Sequence, residues 1–173
     1  MPCFRKLAAA ALVAAMLAGT PALAAPKSDA DILREARDRD EIEHLAWRYA
    51  RALDRFDAEA YVAVYTEDGS FGQVKGREAL FNMIDAFRKP PADAPAGTPA
   101  PTPPGLLHME TNHWIEFKDK DNAVYHYYWL TIGQPAKQGD PTRVLAAGNG
   151  IDELVRVNGQ WLFKSRNVVA PDD

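Results

Sequence analysis

From residue 106 to residue 168 the chain alternates long strand-forming runs with compact turns. The runs are 106–117 (LLHMETNHWIEF), 122–133 (NAVYHYYWLTIG), 143–157 (RVLAAGNGIDELVRV) and 160–168 (QWLFKSRNV), rich in β-branched and aromatic residues. Lys118–Asp121 is a short turn. Asn158-Gly159 is a dipeptide that tight hairpins favour, because both turn positions need positive φ. Strands this long and this tightly joined pair antiparallel with their neighbours, and they need an apolar layer against one face.

That layer is written upstream. Between Asp31 and Phe56, the residues Ile42, Leu45, Ala46, Tyr49, Leu53 and Phe56 recur at three- and four-residue steps, the stripe of a helix facing a core. Ser28 with Asp31, or Asp40 with Glu43, could cap its start. Ala58–Tyr65 reads as a second, short helix, Gly69–Gln73 as a short strand, and Glu78–Arg88 as a third helix with Leu80, Phe81, Ile84 and Phe87 on one side. Residues 90–104 (PPADAPAGTPAPTPP) hold seven of the chain's 13 prolines and read as an extended loop. They are no domain linker, since neither flank makes a domain alone. The expected fold is α+β, with three N-terminal helices packed on a curved antiparallel sheet to form a cone with one pocket.

The first residues follow another logic. Arg5 and Lys6 precede an apolar run from Leu7 to Ala18, and Ala22-Leu23-Ala24 offers a small-x-small cleavage site. The run is too short to span a bilayer core of about 30 Å as a helix. Residues 1–24 are therefore expected to be a signal peptide and 25–173 the domain, periplasmic or secreted, with no stable membrane insertion after processing. Cys3 precedes the apolar run, where a lipid-anchor cysteine would follow it. Cleavage would remove this only cysteine, leaving neither a disulfide nor a thiol. It would also remove Arg5 and Lys6, leaving 18 of the 20 basic residues against 24 acidic ones, a formal charge of −6. Nucleic acid is a poor partner for such a chain, because phosphate contacts need a basic surface.

Chemistry is concentrated in few places. The remaining histidines are His44, His108, His113 and His126, and no pair has the helix spacing of a metal site. Neither a metal nor a cofactor is expected. In a regular strand His108, Glu110 and Asn112 share one face while Met109, His113, Ile115 and Phe117 share the other. Either face could be inner, and a bulge would change the count. Asp54 ends the first helix, where the macrodipole disfavours an acid by about 0.3–1 kcal/mol. It is either a turn-former or an acid retained for a task. Tyr49, five residues earlier, lies about 140° around the helix and can flank the same pocket. Trp114, Trp129 and Trp161 are core or interface aromatics, with Trp129 and Phe71 available as pocket walls. Exposed strands this aromatic also suggest a homodimer through the sheet's outer face. Gly148-Asn149-Gly150 suggests a bulge or sharp sheet bend. Arg166 either pairs with an acid or meets an anion.

Taken together, RYARALDRFDAEAYVAVYTEDGSF, HMETN and DELVRVNGQWLFKSR resemble the SnoaL-like branch of the NTF2-like superfamily of cone-shaped α+β proteins, over nearly all of residues 38–168. The resemblance is to the group containing scytalone dehydratase, bile-acid 7α-dehydratase and hexachlorocyclohexane dehydrochlorinase. It implies an Asp–His pair lining the cone, with Asp54 as the acid and His108 as the base, followed by Thr111 and Asn112. It further implies a catalytic Tyr49, and a second histidine at His126. Elimination of water beside a carbonyl needs a base, a carbonyl polariser and a proton donor to the leaving group. His108, then Tyr49 or Asn112, then His126 are the expected holders of those roles, on a small apolar organic molecule. The alternative is a non-catalytic cone that binds such a molecule. On a regular strand, the five-residue offset would leave His113 on the face opposite His108.

Overall fold

The computed structural model describes residues 27–90, 92–99, 105–135, 137 and 139–169. The expected signal peptide lies outside them, as do Pro91 and residues 100–104 of the proline-rich segment. Helix α1 spans Asp29–Asp54, and of the two candidate caps Ser28 starts it: its hydroxyl accepts the Asp31 amide at 3.2 Å. Helix α2 (Ala58–Val62) is capped by Asp57, which accepts the Ala60 amide at 3.0 Å. Helix α3 (Arg77–Asp85) runs into a 3-10 turn at Ala86–Arg88. The strands are β1 (Tyr65–Phe71), β2 (Val74–Lys75), β3 (Leu106–Phe117), β4 (Asn122–Gly133), β5 (Arg143–Val157) and β6 (Gln160–Val169). They form one sheet in the order β2-β1-β6-β5-β4-β3.

The α+β architecture is as expected, with departures in detail. The second helix stops at Val62 because the sheet claims the residues that follow: the Phe163 amide donates to the Val64 carbonyl at 2.9 Å, and Tyr65 pairs with Phe163. That pairing is parallel, so the sheet is antiparallel everywhere except between β1 and β6. The core lies between α1, α3 and the sheet's inner face, built on Ile42, Leu45, Leu80, Ile84, Ile115, Leu154 and Trp161. At its centre Tyr49, Tyr61, Tyr65 and Phe163 pack ring against ring at centroid distances of 5.2–6.4 Å. Burying one such side chain contributes about 1.5–3 kcal/mol.

Two details of the sheet position the site. In β3 the register slips between Thr111, opposite Tyr128, and Trp114, opposite His126. Asn112 and His113 therefore share one partner position, and Asn112 takes φ 51°, a bulge that inverts the alternation beyond it. In β5, by contrast, Gly148 and Gly150 pair regularly, so no bulge falls there; the slips fall near Thr131 and Glu153. These glycines make room for aromatic rings. A Cβ on Gly150 would lie 2.2 Å from Tyr127 Cζ, and one on Gly148 2.8 Å from Trp129 Cζ2.

Candidate active site

The site begins where α1 is forced to stop. The Phe56 amide donates to the Leu53 carbonyl at 3.1 Å and the Asp57 amide to that of Ala52 at 2.9 Å, with Phe56 left-handed at φ 53°. Glycine usually holds this helix-ending position, and an L-residue there costs about 1–2 kcal/mol. Phe56 is kept in place by burial and by stacking on Phe87 at 5.1 Å. The chain thus leaves the helix directly after Asp54, whose carboxylate points inward at 7% exposure.

Asp54 Oδ1 accepts two hydrogen bonds from one residue of β3. The His108 backbone N–H donates at 2.9 Å, and His108 Nδ1 lies at 2.8 Å. A carboxylate there fixes the proton on Nδ1 and leaves the Nε2 lone pair free. Asp54 is thus paired with the His108 ring and also meets a backbone amide across the cone. Arg51 approaches the other carboxylate oxygen at 3.8 Å.

His108 lines a cavity of about 240 Å³ together with Tyr49, Leu53, Phe71, Glu110, Tyr127, Trp129, Thr131, Arg166 and Val168. Tyr49, Phe71, His108 and Trp129 are thus brought together as expected. Burial pushes the Tyr49 phenol well above its ordinary range, so it is a hydrogen-bond donor at any physiological pH. Trp129 is held against β5 by its Nε1–H, which donates to the Asn149 carbonyl at 3.3 Å.

The cavity floor is a buried charge cluster. Arg166 Nε sits 2.9 Å from Asp152 Oδ2, while its NH2 donates to Glu110 Oε1 at 2.5 Å and to the Tyr127 hydroxyl at 2.7 Å. Arg166 therefore pairs with acids. Burial works against its charge, but Asp152 and Glu110 beside it hold the guanidinium well above its ordinary range. For Asp152 burial is the main influence and pushes the carboxyl up to about 7; Arg166 opposes the rise and Glu110 adds to it. Two carboxylates thus share one guanidinium. Sequence reading missed Asp152, although it lies directly opposite Arg166 in the β5–β6 register.

Three expected placements are corrected. His126 lies on the sheet's outer face, stacked on Trp114 at 4.8 Å with Nε2 3.9 Å from Glu116 Oε2, and it does not line the cavity. Asn112 is exposed and occupied with the bulge; among the described residues its side chain hydrogen-bonds only with Thr111 Oγ1, at 3.5 Å. His113 does not point away from the helices. The bulge turns it toward them, where Nε2 lies 3.1 Å from Glu43 Oε1 and the ring packs on Tyr125 at 5.8 Å. Among the described residues no group of three or more His, Cys, Asp or Glu could hold a metal, and no helix is long and apolar enough to cross a membrane.

A family model described as the SnoaL-like domain matches residues 34–167. Among solved structures, an NTF2-like protein with a cystatin-like fold from Novosphingobium aromaticivorans is 22% identical at TM-score 0.64, covering 83% of this chain and 88% of its own. A candidate scytalone dehydratase from the same organism is 24% identical at TM-score 0.59, covering 79% and 86%. LinA is 20% identical at TM-score 0.59, covering 80% and 88%. At these identities the likeness is one of fold. No curated protein matches the chain significantly in sequence.

Proposed function

Because the chain belongs to the SnoaL-like domain family, we propose that it is a cofactor-independent lyase or isomerase of the dehydratase type, acting on a small apolar carbonyl or hydroxy compound. One observation carries this reading: the 2.8 Å contact of His108 Nδ1 with Asp54 Oδ1 at the wall of an apolar cavity. Nε2 takes a proton from the carbon beside the carbonyl, and Asp54 steadies the imidazolium that forms. Tyr49 donates its hydroxyl hydrogen bond to the carbonyl oxygen. With His126 on the outer face, the leaving hydroxyl receives its proton back from the His108 imidazolium. The C–H and C–O bonds break, a C=C bond forms, water departs, and nothing is oxidised or reduced.

The test is a screen of hydroxy-ketones and steroid-like or polyketide-like compounds for loss of water. With a substrate in hand, His108→Ala should lower turnover by about two to four orders of magnitude. The second reading, a non-catalytic cone that binds such compounds, is favoured by the lack of a second imidazole at the cavity. It prevails if apolar ligands bind the intact protein and the His108→Ala variant alike and neither turns over.

Two wider features belong to the same reading. The protein is exported to the periplasm or beyond after losing residues 1–24, supported by the leader pattern, and an N-terminus at Met1 in the native protein would refute this. It forms a homodimer through the sheet's outer face, where Trp114 and Tyr128 stand 58% and 57% exposed beside Ile151. Trp114→Glu should convert the dimer to monomer in sedimentation, and a wild type that is already monomeric at micromolar concentration excludes the dimer.

A further inference from the structure

A second concave surface lies on the far side of α1, between it and α2. Arg48 and Arg51, three residues apart, share one face of α1, Arg55 follows as its C-cap, and Trp47 borders them one turn from Arg51. They rim a groove of about 270 Å³ whose floor includes Ala60 and Ala63. Its one acid, Asp57, is engaged in capping α2. Among the described residues Arg48 and Arg55 make no ion pair, and Arg51 makes only the 3.8 Å approach to Asp54. Trp47 is 63% exposed. Three scarcely neutralised guanidiniums thus crowd an apolar trough in a chain whose formal charge is −4. An anion seated in the groove would be drawn by all three.

We propose that this groove binds a small organic anion: a carboxylate or phosphate monoester carried on a short apolar body. The planar guanidinium forks suit bidentate bonds to such oxygens. The Trp47 indole and the alanine floor supply the apolar contact, so the body is recognised along with the charge. An inorganic ion would engage only the rim and bind more weakly. A neutral molecule of the same body would leave the arginines uncompensated. This site is separate from the cavity that holds His108, and it stands whether or not that cavity is catalytic.

Calorimetric titration of the full chain with hexyl phosphate tests the proposal, with hexanol, inorganic phosphate and phosphatidylglycerol vesicles as the other arms. Saturable hexyl phosphate binding is expected, stronger than that of inorganic phosphate and of hexanol. It should weaken by about tenfold or more in the doubly substituted Arg48→Gln, Arg55→Gln protein. It should also weaken in Trp47→Ala, which leaves the arginines in place, and persist in His108→Ala. All substituted positions are on exposed or cavity surfaces, and circular dichroism checks that each variant is folded. No saturable binding overturns the proposal, as does binding untouched by the arginine changes. Binding lost only in His108→Ala would move the ligand to the cavity, and binding seen only with vesicles would make the surface a membrane contact instead.

Discussion

The guanidinium of Arg166 lies over the ring of Tyr49, 3.6 Å from its centroid. A desolvated cation on an aromatic face contributes about 2 kcal/mol. This contact joins the last strand to the first helix, five residues before Asp54. The buried charge cluster and the Asp54–His108 pair are therefore two ends of one rigid wall.

Asp152 should make stability fall as pH rises. Its folded carboxyl is pushed up to about 7 from the ordinary 3.8, so between those values the folded state holds a proton that the unfolded chain has released. The contribution is full below the unfolded value and lost as pH rises through the folded one. Asparagine is the neutral isostere of the protonated carboxyl, so melting curves of wild type and Asp152→Asn should differ least at the acid end of this window, with the wild type falling relative to the variant as pH rises through it. A wild type that loses no more stability than the variant across this window would refute the assignment.

Asp54 should matter to folding as well as to chemistry. Asp54→Ala leaves the His108 backbone N–H without its acceptor, at a cost of about 1–3 kcal/mol. Asp54→Asn keeps an amide oxygen for that N–H but withdraws the charge from Nδ1. Urea unfolding should therefore rank Asn above Ala in stability, with both depressed in turnover. Equal losses would mean that the backbone bond contributes nothing.

The bulge predicts an unusual tolerance at Asn112. Asn112→Gly should be within about 0.5 kcal/mol of wild type, because glycine accepts the left-handed conformation freely. Asn112→Val should lose about 1–2 kcal/mol and loosen the contact of His113 with Glu43. Chemical denaturation gives the energies, and the titration of His113 followed by NMR reports the contact.

Gly150→Ala should be among the costliest small substitutions. Its Cβ would overlap Tyr127, whose hydroxyl is bonded to Arg166, so relief requires moving the charge cluster. A loss of about 1–3 kcal/mol or more is expected, larger than for an exposed strand glycine. Thermal unfolding provides the check.

What the sequence discloses follows what is local. The α1 stripe, the Asn158-Gly159 hairpin and the four long strands are all written in periodicities a few residues wide, and they stand where expected. The Asp54–His108 pair was accessible through motif resemblance, with the odd acid at a helix end as its physical trace. Asn112 and His113 were misplaced because a bulge inserts one residue without disturbing composition, yet reverses every face beyond it. An asparagine suited to positive φ was the only local hint. His126 was ambiguous because β4 carries aromatic residues on both faces. The β1–β6 pairing had no local signature at all, since its partners are joined by neither hairpin nor crossover motif.

That pairing has a consequence for how the chain assembles. Tyr65 finds Phe163 about 100 residues later, and β6 then sits between β1 and β5. The helices, β1 and its small hairpin must wait, with an open strand edge, until β6 is available to pair. Contacts of such range slow folding and lengthen the time in which an unpaired edge can recruit a neighbouring chain. Deleting β6 would therefore remove more than a border. It would leave the sheet in two unconnected pieces, a state more prone to aggregate than to persist as a smaller fold.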